Sequence, residues 1–290
     1  MIRILGTLVL ILMIQPALAG APVLVDTGWL ADHQNDPDLV VVDMSMDDTQ
    51  YQRFHLPGAV RLPYQLLTKK RRDGVSLRHG DKRLAMLLGL MGISADKYVV
   101  IYDDMGGLQA ARLFWELERI GHDRVSVLDG GLVKWILEGR KVTNEPVHPQ
   151  RTQYQLPGGG RDNEADKATV QAAMGDGRTI LLDVRSEQEY VGSPRMKRSG
   201  HIPGAKWWPW EQAVDFKQAF VAQSSDKLLA SLDKLGVRKD TPVITYCQSG
   251  HRAGRAYMTL RRLGFNNVKL YDGSMAEWSI DRSLPLQTGK

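Results

Sequence analysis

The chain has 290 residues, 43% of them hydrophobic, and a formal charge of +5. That length fills one large or two ordinary domains, since a domain typically holds about 100–200 residues. So mild a charge excludes the dense basic footprint of a nucleic-acid binder and leaves small anionic substrates open.

Residues 1–19 read as a signal peptide. Arg3 opens the segment, and Ile4 to Ile14 form an apolar run shorter than the about 20 residues that span a bilayer. Ala17, Leu18 and Ala19 then supply a small-x-small cleavage signature. The expectation is export to the periplasm with no stable membrane insertion after cleavage; an uncleaved anchor is the alternative. Exported chains often gain disulfides. Cys247 is the only cysteine here and can form no internal one, so it is either inert and buried or kept for chemistry.

Beyond the leader, "LVVVD" (Leu39 to Asp43) is an apolar, β-branched run without alternation, as in a strand covered on both faces. "HLPGAVRLPY" (His55 to Tyr64) follows, then "KKRR" (Lys69 to Arg72), read as a solvated loop, with an anion or partner patch the alternative. "YVVIYD" and "RVSVLD" are further strands, and between them "LQAARLFWELERIG" (Leu108 to Gly121) is an amphipathic helix stopped by glycine. Residues 146–164, with three prolines and three consecutive glycines, read as a linker over the surface. The second half then repeats the first in order. "LLDV" matches "VVDM", "HIPGAKWWPW" (His201 to Trp210) matches "HLPGAVRLPY", "VITYC" matches "VVIYDD", and "YDGSMAEW" matches "LDGGLVKW". "AGRAYMTLRRLG" (Ala253 to Gly264) is the twin of the first amphipathic helix. Four blocks in order mark a duplicated domain. The strand and helix alternation predicts an α/β fold, a parallel sheet flanked by helices in each half.

Cys247 ends a strand and precedes a helix, where parallel sheets bind ligands. Gln248, Ser249, Gly250, His251 and Arg252 bridge the two elements. Gly250 permits φ > 0, and a curled loop aims several N–H groups at one point, a nest for an anion. The helix N-terminus adds positive potential, and His251, Arg252 and Arg255 add formal or potential charge. All of these favour a thiolate within reach of solvent, or a bound oxyanion or persulfide. Phosphate-ester cleavage by cysteine needs a C-x5-R loop. Here arginine follows four intervening residues and Ala253 holds the phosphatase position, so the tighter loop favours a single sulfur on the thiol.

The loop "CQSGHR", the strand "LLDVRS", the motif "SGHIPGA" and the tail "DGSMAEW" resemble the rhodanese family, and the duplicated arrangement with cysteine only in the second copy resembles its tandem-domain thiosulfate sulfurtransferases. The resemblance implies two tandem rhodanese-like domains, residues 20–145 catalytically silent and residues 165–290 catalytic. It also implies that Cys247 takes the sulfane sulfur of thiosulfate as a persulfide and passes it to cyanide or a thiol. The twin of Cys247 is Asp103 or Asp104, which puts negative charge where the thiolate belongs.

The expected partners are thus a small anionic sulfur donor and a thiophilic acceptor; no cofactor is expected. Gln248, Ser249, Gly250, His251 and Arg252 form the substrate-binding loop, with Arg252 taking the donor's anionic end or bracing the loop against Asp183. Asp183 is expected to orient the loop and its arginine, or to cap a turn. Arg185 pairs locally or contacts substrate. His201, repeated as His55, reads as architectural, while His251, without a twin, reads as an imidazolium tuning the thiolate or as loop surface. Trp207, Trp208 and Trp210 read as packing between the domains, or as a stacking platform. Tandem members often carry an arginine six residues after the strand aspartate; here Glu189 stands there, and the insert "RMKRSG" (Arg195 to Gly200) is a candidate replacement cation or a solvated loop. That departure, and a loop unlike C-x-x-G-V-T, weaken a mercaptopyruvate assignment. A non-enzymatic persulfide carrier is a further alternative.

Overall fold

The computed structural model describes residues 21–193, 195 and 198–289. The predicted signal peptide, and Met196 and Lys197 of the basic insert, lie outside the described residues.

The first half lays down β1 (Leu24–Val25), β2 (Leu39–Asp43) and β3 (Val60–Arg61). An antiparallel hairpin of β4 (Thr68–Lys70) and β5 (Ser76–Arg78) follows, then β6 (Tyr98–Tyr102) and β7 (Val125–Leu128). The second half supplies β8 (Glu164–Ala165), β9 (Ile180–Asp183) and β10 (Lys206–Trp207). A two-residue hairpin pairs β11 (Val214–Asp215) with β12 (Val221–Ala222), and β13 (Val243–Tyr246) and β14 (Val268–Tyr271) complete it. The main sheets are five-stranded and parallel, in the orders β1-β7-β6-β2-β3 and β8-β14-β13-β9-β10. The apolar runs sit where expected: Val42, Val99, Val100 and Ile101 are fully buried, because helices cover both faces. β6 and β13 are the middle strands, so the residues after them, Asp103 and Cys247, emerge at matching places.

The halves pack through their amphipathic helices, Ala110–Arg119 and His251–Arg262. A Cβ on Gly254 would lie 3.5–3.6 Å from the backbone of Ala111 and Arg112, so the helix backbones nearly touch. One apolar cluster runs through both, including Leu113 and Trp115 of the first half and Tyr257 and Leu260 of the second. An interface built like a core holds the halves together.

Three expectations change in detail. "KKRR" is exposed as expected but only half of it is loop: Lys69 and Lys70 belong to β4, while Arg71 and Arg72 lie in the turn after it, with Arg71 bonded to Asp73 and, at 2.7 Å, to Glu277 of the other half. Residues 146–164 are pinned rather than draped. Tyr154 is buried with its hydroxyl 2.9 Å from His122 Nδ1, and Asn163 donates to the Trp115 carbonyl at 3.2 Å and the Tyr257 hydroxyl at 3.0 Å. Arg198 of the basic insert donates to the carbonyls of Ser279, Asp281 and Leu284, so it clamps the C-terminal tail.

His201 and His55 match their architectural reading. Each ring stacks on a tyrosine, Tyr190 at 3.8 Å and Tyr51 at 3.9 Å, and each Nδ1 meets that tyrosine's carbonyl. Each backbone pairs with the end of its own half, at Gln287 and Thr143.

Candidate active site

Cys247 follows β13, and the turn after it runs into the helix His251–Arg262. Gly250 caps that helix with φ +76°, and a Cβ there would come within 2.5 Å of Asp272 Oδ1, so glycine is required on both counts. Ser274 ties the loop from behind: its Oγ accepts from the amides of Cys247 and Gly250, both at 3.1 Å, and donates to the Tyr271 carbonyl. Among the described residues nothing accepts from the amides of Gln248, Ser249, His251, Arg252 or Ala253.

The first half shows how such a loop grips an acidic group: burial pushes Asp103 up, and four amides work against that push. The Asp103 carboxylate takes four amides: Met105 (2.9 Å) and Gly107 (2.8 Å) on Oδ1, Gln109 (2.7 Å) and Ala110 (2.9 Å) on Oδ2. Asp103, rather than Asp104, is the twin of Cys247. The amide of Leu132 bonds the Asp103 carbonyl at 3.0 Å just as that of Met275 bonds the Cys247 carbonyl at 3.0 Å. Asp104 instead accepts from Met46. Counted back from the helix-ending glycines, Gln109 and Ala110 correspond to Arg252 and Ala253. The two amides that grip Asp103 Oδ2 therefore have counterparts beside Cys247 that no group among the described residues takes up.

The depth of the sulfur corrects the sequence reading. Cys247 is 1% exposed and joins the apolar cluster containing Leu182 and Val184. The rim above it reaches solvent instead: Gln248 is exposed, and Ser249, His251 and Arg252 are partly so. Tyr64 of the first half closes the other side, its ring 4.4 Å from that of His251 and its phenol pushed up to about 12 by burial.

The charged residues pair differently from expectation. Arg252 braces the loop, but against Glu189, with Nη1 and Nη2 each 2.7 Å from a carboxylate oxygen. Asp183 does not orient Arg252; it is fully buried and binds Arg185 through Nε (2.9 Å) and Nη2 (2.6 Å). Arg185 is 4% exposed and also donates to the Gly200 carbonyl, so it pairs locally through Nε and Nη2. His251 is not an imidazolium. Burial, reinforced by Arg112 and Arg252, pushes it down to about 4, and its Nε2 is buried without a hydrogen-bond partner. Trp208 is buried with Nε1 on Ser231 Oγ, Trp210 packs on Phe216, and Trp207 donates to the Arg185 carbonyl: these contacts are packing within the second half, where packing between the halves was expected.

The rhodanese-like domain family matches the chain twice, over residues 26–138 and 166–281. The chain belongs to the rhodanese family. Similar proteins within it include the sulfur carrier protein TtuD of Thermus thermophilus, 34% identical over 284 residues that cover 92% of this chain and 97% of the relative. A thiosulfate sulfurtransferase of Corynebacterium glutamicum is 34% identical, covering 92% and 91%. One of Azotobacter vinelandii is 29% identical, covering 93% and 98%. These rhodanese relatives support sulfurtransferase activity for the chain. Among solved structures, an anaerobic ergothioneine biosynthesis enzyme from Chlorobium limicola, in complex with trimethyl histidine, superposes with TM-score 0.82 at 22% identity, covering 92% of this chain and 70% of that one. YnjE superposes at 0.80 with 24% identity, covering 92% and 68%. Both likenesses bear on the fold alone.

Four residues around this rhodanese loop escaped sequence reasoning: Ser274, Asp272, Arg112 and Tyr64. Only Ser274 left a signal, since "YDGS" stands opposite "LDGG" in the repeat and puts serine where the twin is Gly131.

Proposed function

We propose that the chain moves the sulfane sulfur of thiosulfate to a thiophilic acceptor through a persulfide on Cys247. The observation that carries this reading is the pairing of a lone cysteine with a loop whose twin already wraps a carboxyl group in four N–H bonds.

In the first step the Cys247 thiolate attacks the outer sulfur of thiosulfate. The new Cys–S bond forms as the S–S bond to the sulfonate breaks, and sulfite leaves with the electron pair. The amides of Gln248, Ser249, His251, Arg252 and Ala253 receive the negative charge of the persulfide's outer sulfur. In the second step cyanide or a thiol attacks that sulfur and Cys247 is released as thiolate, a double displacement. Residues 20–145 are silent in this scheme because Asp103 fills the equivalent nest. Export belongs to the same proposal and rests on residues 1–19; the mass of the mature chain tests it.

Intact-mass analysis after incubation with thiosulfate tests the transfer. The mature chain gains about 32 Da, one sulfur atom, and Cys247→Ser gains nothing while staying folded. Unchanged mass in the parent chain, or turnover in Cys247→Ser, would refute it. The relative named as a sulfur carrier supports a second reading, in which Cys247 loads sulfur but small donors give negligible turnover.

A further inference from the structure

The mouth of the Cys247 loop holds one arginine, and the chain has given it a partner. Both Nη atoms of Arg252 point at the Glu189 carboxylate in a two-point pair, 2.7 Å on each arm. Arg252 and Glu189 stay 23% and 33% exposed in their side chains, so the pair lies on the rim and not in the core. Glu189 is itself anchored. Its Oε2 accepts from the Ser186 amide at 3.1 Å and hydroxyl at 2.9 Å, closing a capping box on the helix Glu187–Val191, and the carboxylate cannot swing away with the arginine without opening that cap. Arg252 also feels Glu211.

Among the described residues the neighbouring cations are already paired. Arg185 is spent on Asp183, and Arg112 on Asp272 and Glu116. Gln248 and Ser249 are neutral. A doubly charged donor approaching Cys247 therefore meets loop amides and an arginine whose charge is already balanced.

Resting on the reading that Cys247 takes sulfur from a small donor, we infer that Glu189 is a donor-selectivity residue. By holding both Nη atoms of Arg252 it lowers the affinity of the loop for dianionic donors such as thiosulfate and tilts the site toward donors of smaller charge. The residue acts through Arg252 and touches no reacting atom.

Binding can be separated from chemistry. In a Cys247→Ser background thiosulfate is a ligand that cannot react, and calorimetric titration gives its affinity with Glu189 present or replaced. Glu189→Gln keeps an oxygen for the Ser186 cap and removes the charge. It is expected to tighten thiosulfate binding by about fivefold, the scale of a partly exposed ion pair. It should also steepen the fall of affinity with added salt, because the freed guanidinium is screened. Equal affinity in the two proteins, weaker binding in Glu189→Gln, or no measurable binding in either would overturn the inference. A second measurement needs no variant at Glu189. With the arginine balanced, thiosulfate affinity of Cys247→Ser alone should change little with ionic strength, and a steep loss would overturn the inference as well. Neither readout involves turnover, so failure of sulfur loading in the parent chain would refute the transfer scheme and leave these results standing.

Discussion

Arg112 and Arg255 are twins that cross the boundary between the halves in opposite directions. Each stands nine residues before the glycine that ends its helix, Gly121 or Gly264, and each is almost wholly buried. Arg112 reaches from the first half to Asp272, directly behind Gly250, and also binds Glu116. Arg255 reaches back to the Gly106 carbonyl at 2.7 Å and meets the Ala213 carbonyl and the Thr259 hydroxyl, with no carboxylate in contact. Burial accordingly pushes Arg255 down to about 10, whereas the carboxylates hold Arg112 above its ordinary range.

The two should fail differently. Arg112→Leu strips Asp272 of its cation in a dry site, which costs about 3–5 kcal/mol. Arg255→Leu leaves neutral carbonyls behind and removes a poorly compensated charge, at about 1–3 kcal/mol. Urea denaturation of both variants checks the order, and a larger loss for Arg255→Leu would contradict the assignment.

His251 should make the fold acid-sensitive in a defined window. Its folded value of about 4 lies below the ordinary value near 6.5, so as pH falls the unfolded chain takes the proton first. The stabilisation from neutral His251 is complete above pH 6.5 and is lost as pH drops toward 4, amounting to about 2 kcal/mol by pH 5. Arg112 and Arg252 oppose the proton, and Tyr64 packs on the ring. His251→Gln should lose correspondingly less stability between pH 7 and pH 5; identical losses in the two proteins would show that the imidazole does not titrate as described.

Ser274 combines strain with support. Its φ is +49°, close to the +50° of its twin Gly131, a conformation that glycine adopts freely and serine does not. The return is a hydroxyl that accepts from two loop amides. Ser274→Ala keeps the strain and loses the acceptor, for a cost of about 1–3 kcal/mol. Ser274→Gly loses the same acceptor but relieves the left-handed strain, about 1–2 kcal/mol. Sulfur loading should slow in both. An alanine variant as stable as the parent would remove the hydroxyl from the account of the loop.

The duplication, the parallel sheets and the place of Cys247 were legible because they rest on local pattern. Blocks such as "VITYC" and "VVIYDD" carry their own strand signal, and their order carries the repeat. What escaped depends on contacts distant in sequence. Glu189 was visible as a departure, yet its partner lies 63 residues away and no local rule names it. Arg112 reaches 160 residues to Asp272. The imidazolium reading of His251 counted charge without burial, and the same omission placed Cys247 nearer to solvent than it is. Choosing Asp103 over Asp104 needed only the carbonyl bonds from Leu132 and Met275, which fix the alignment where a one-residue loop difference blurs it.

The position of Cys247 beneath its own loop acts as a size filter on whatever approaches it. With Cys247 1% exposed, a bulky maleimide has to wait until the rim lifts or Tyr64 moves away from His251. The labelling rate with such a reagent is then a clock for breathing between the halves, and every residue that fastens Tyr64's half to the loop sets its pace.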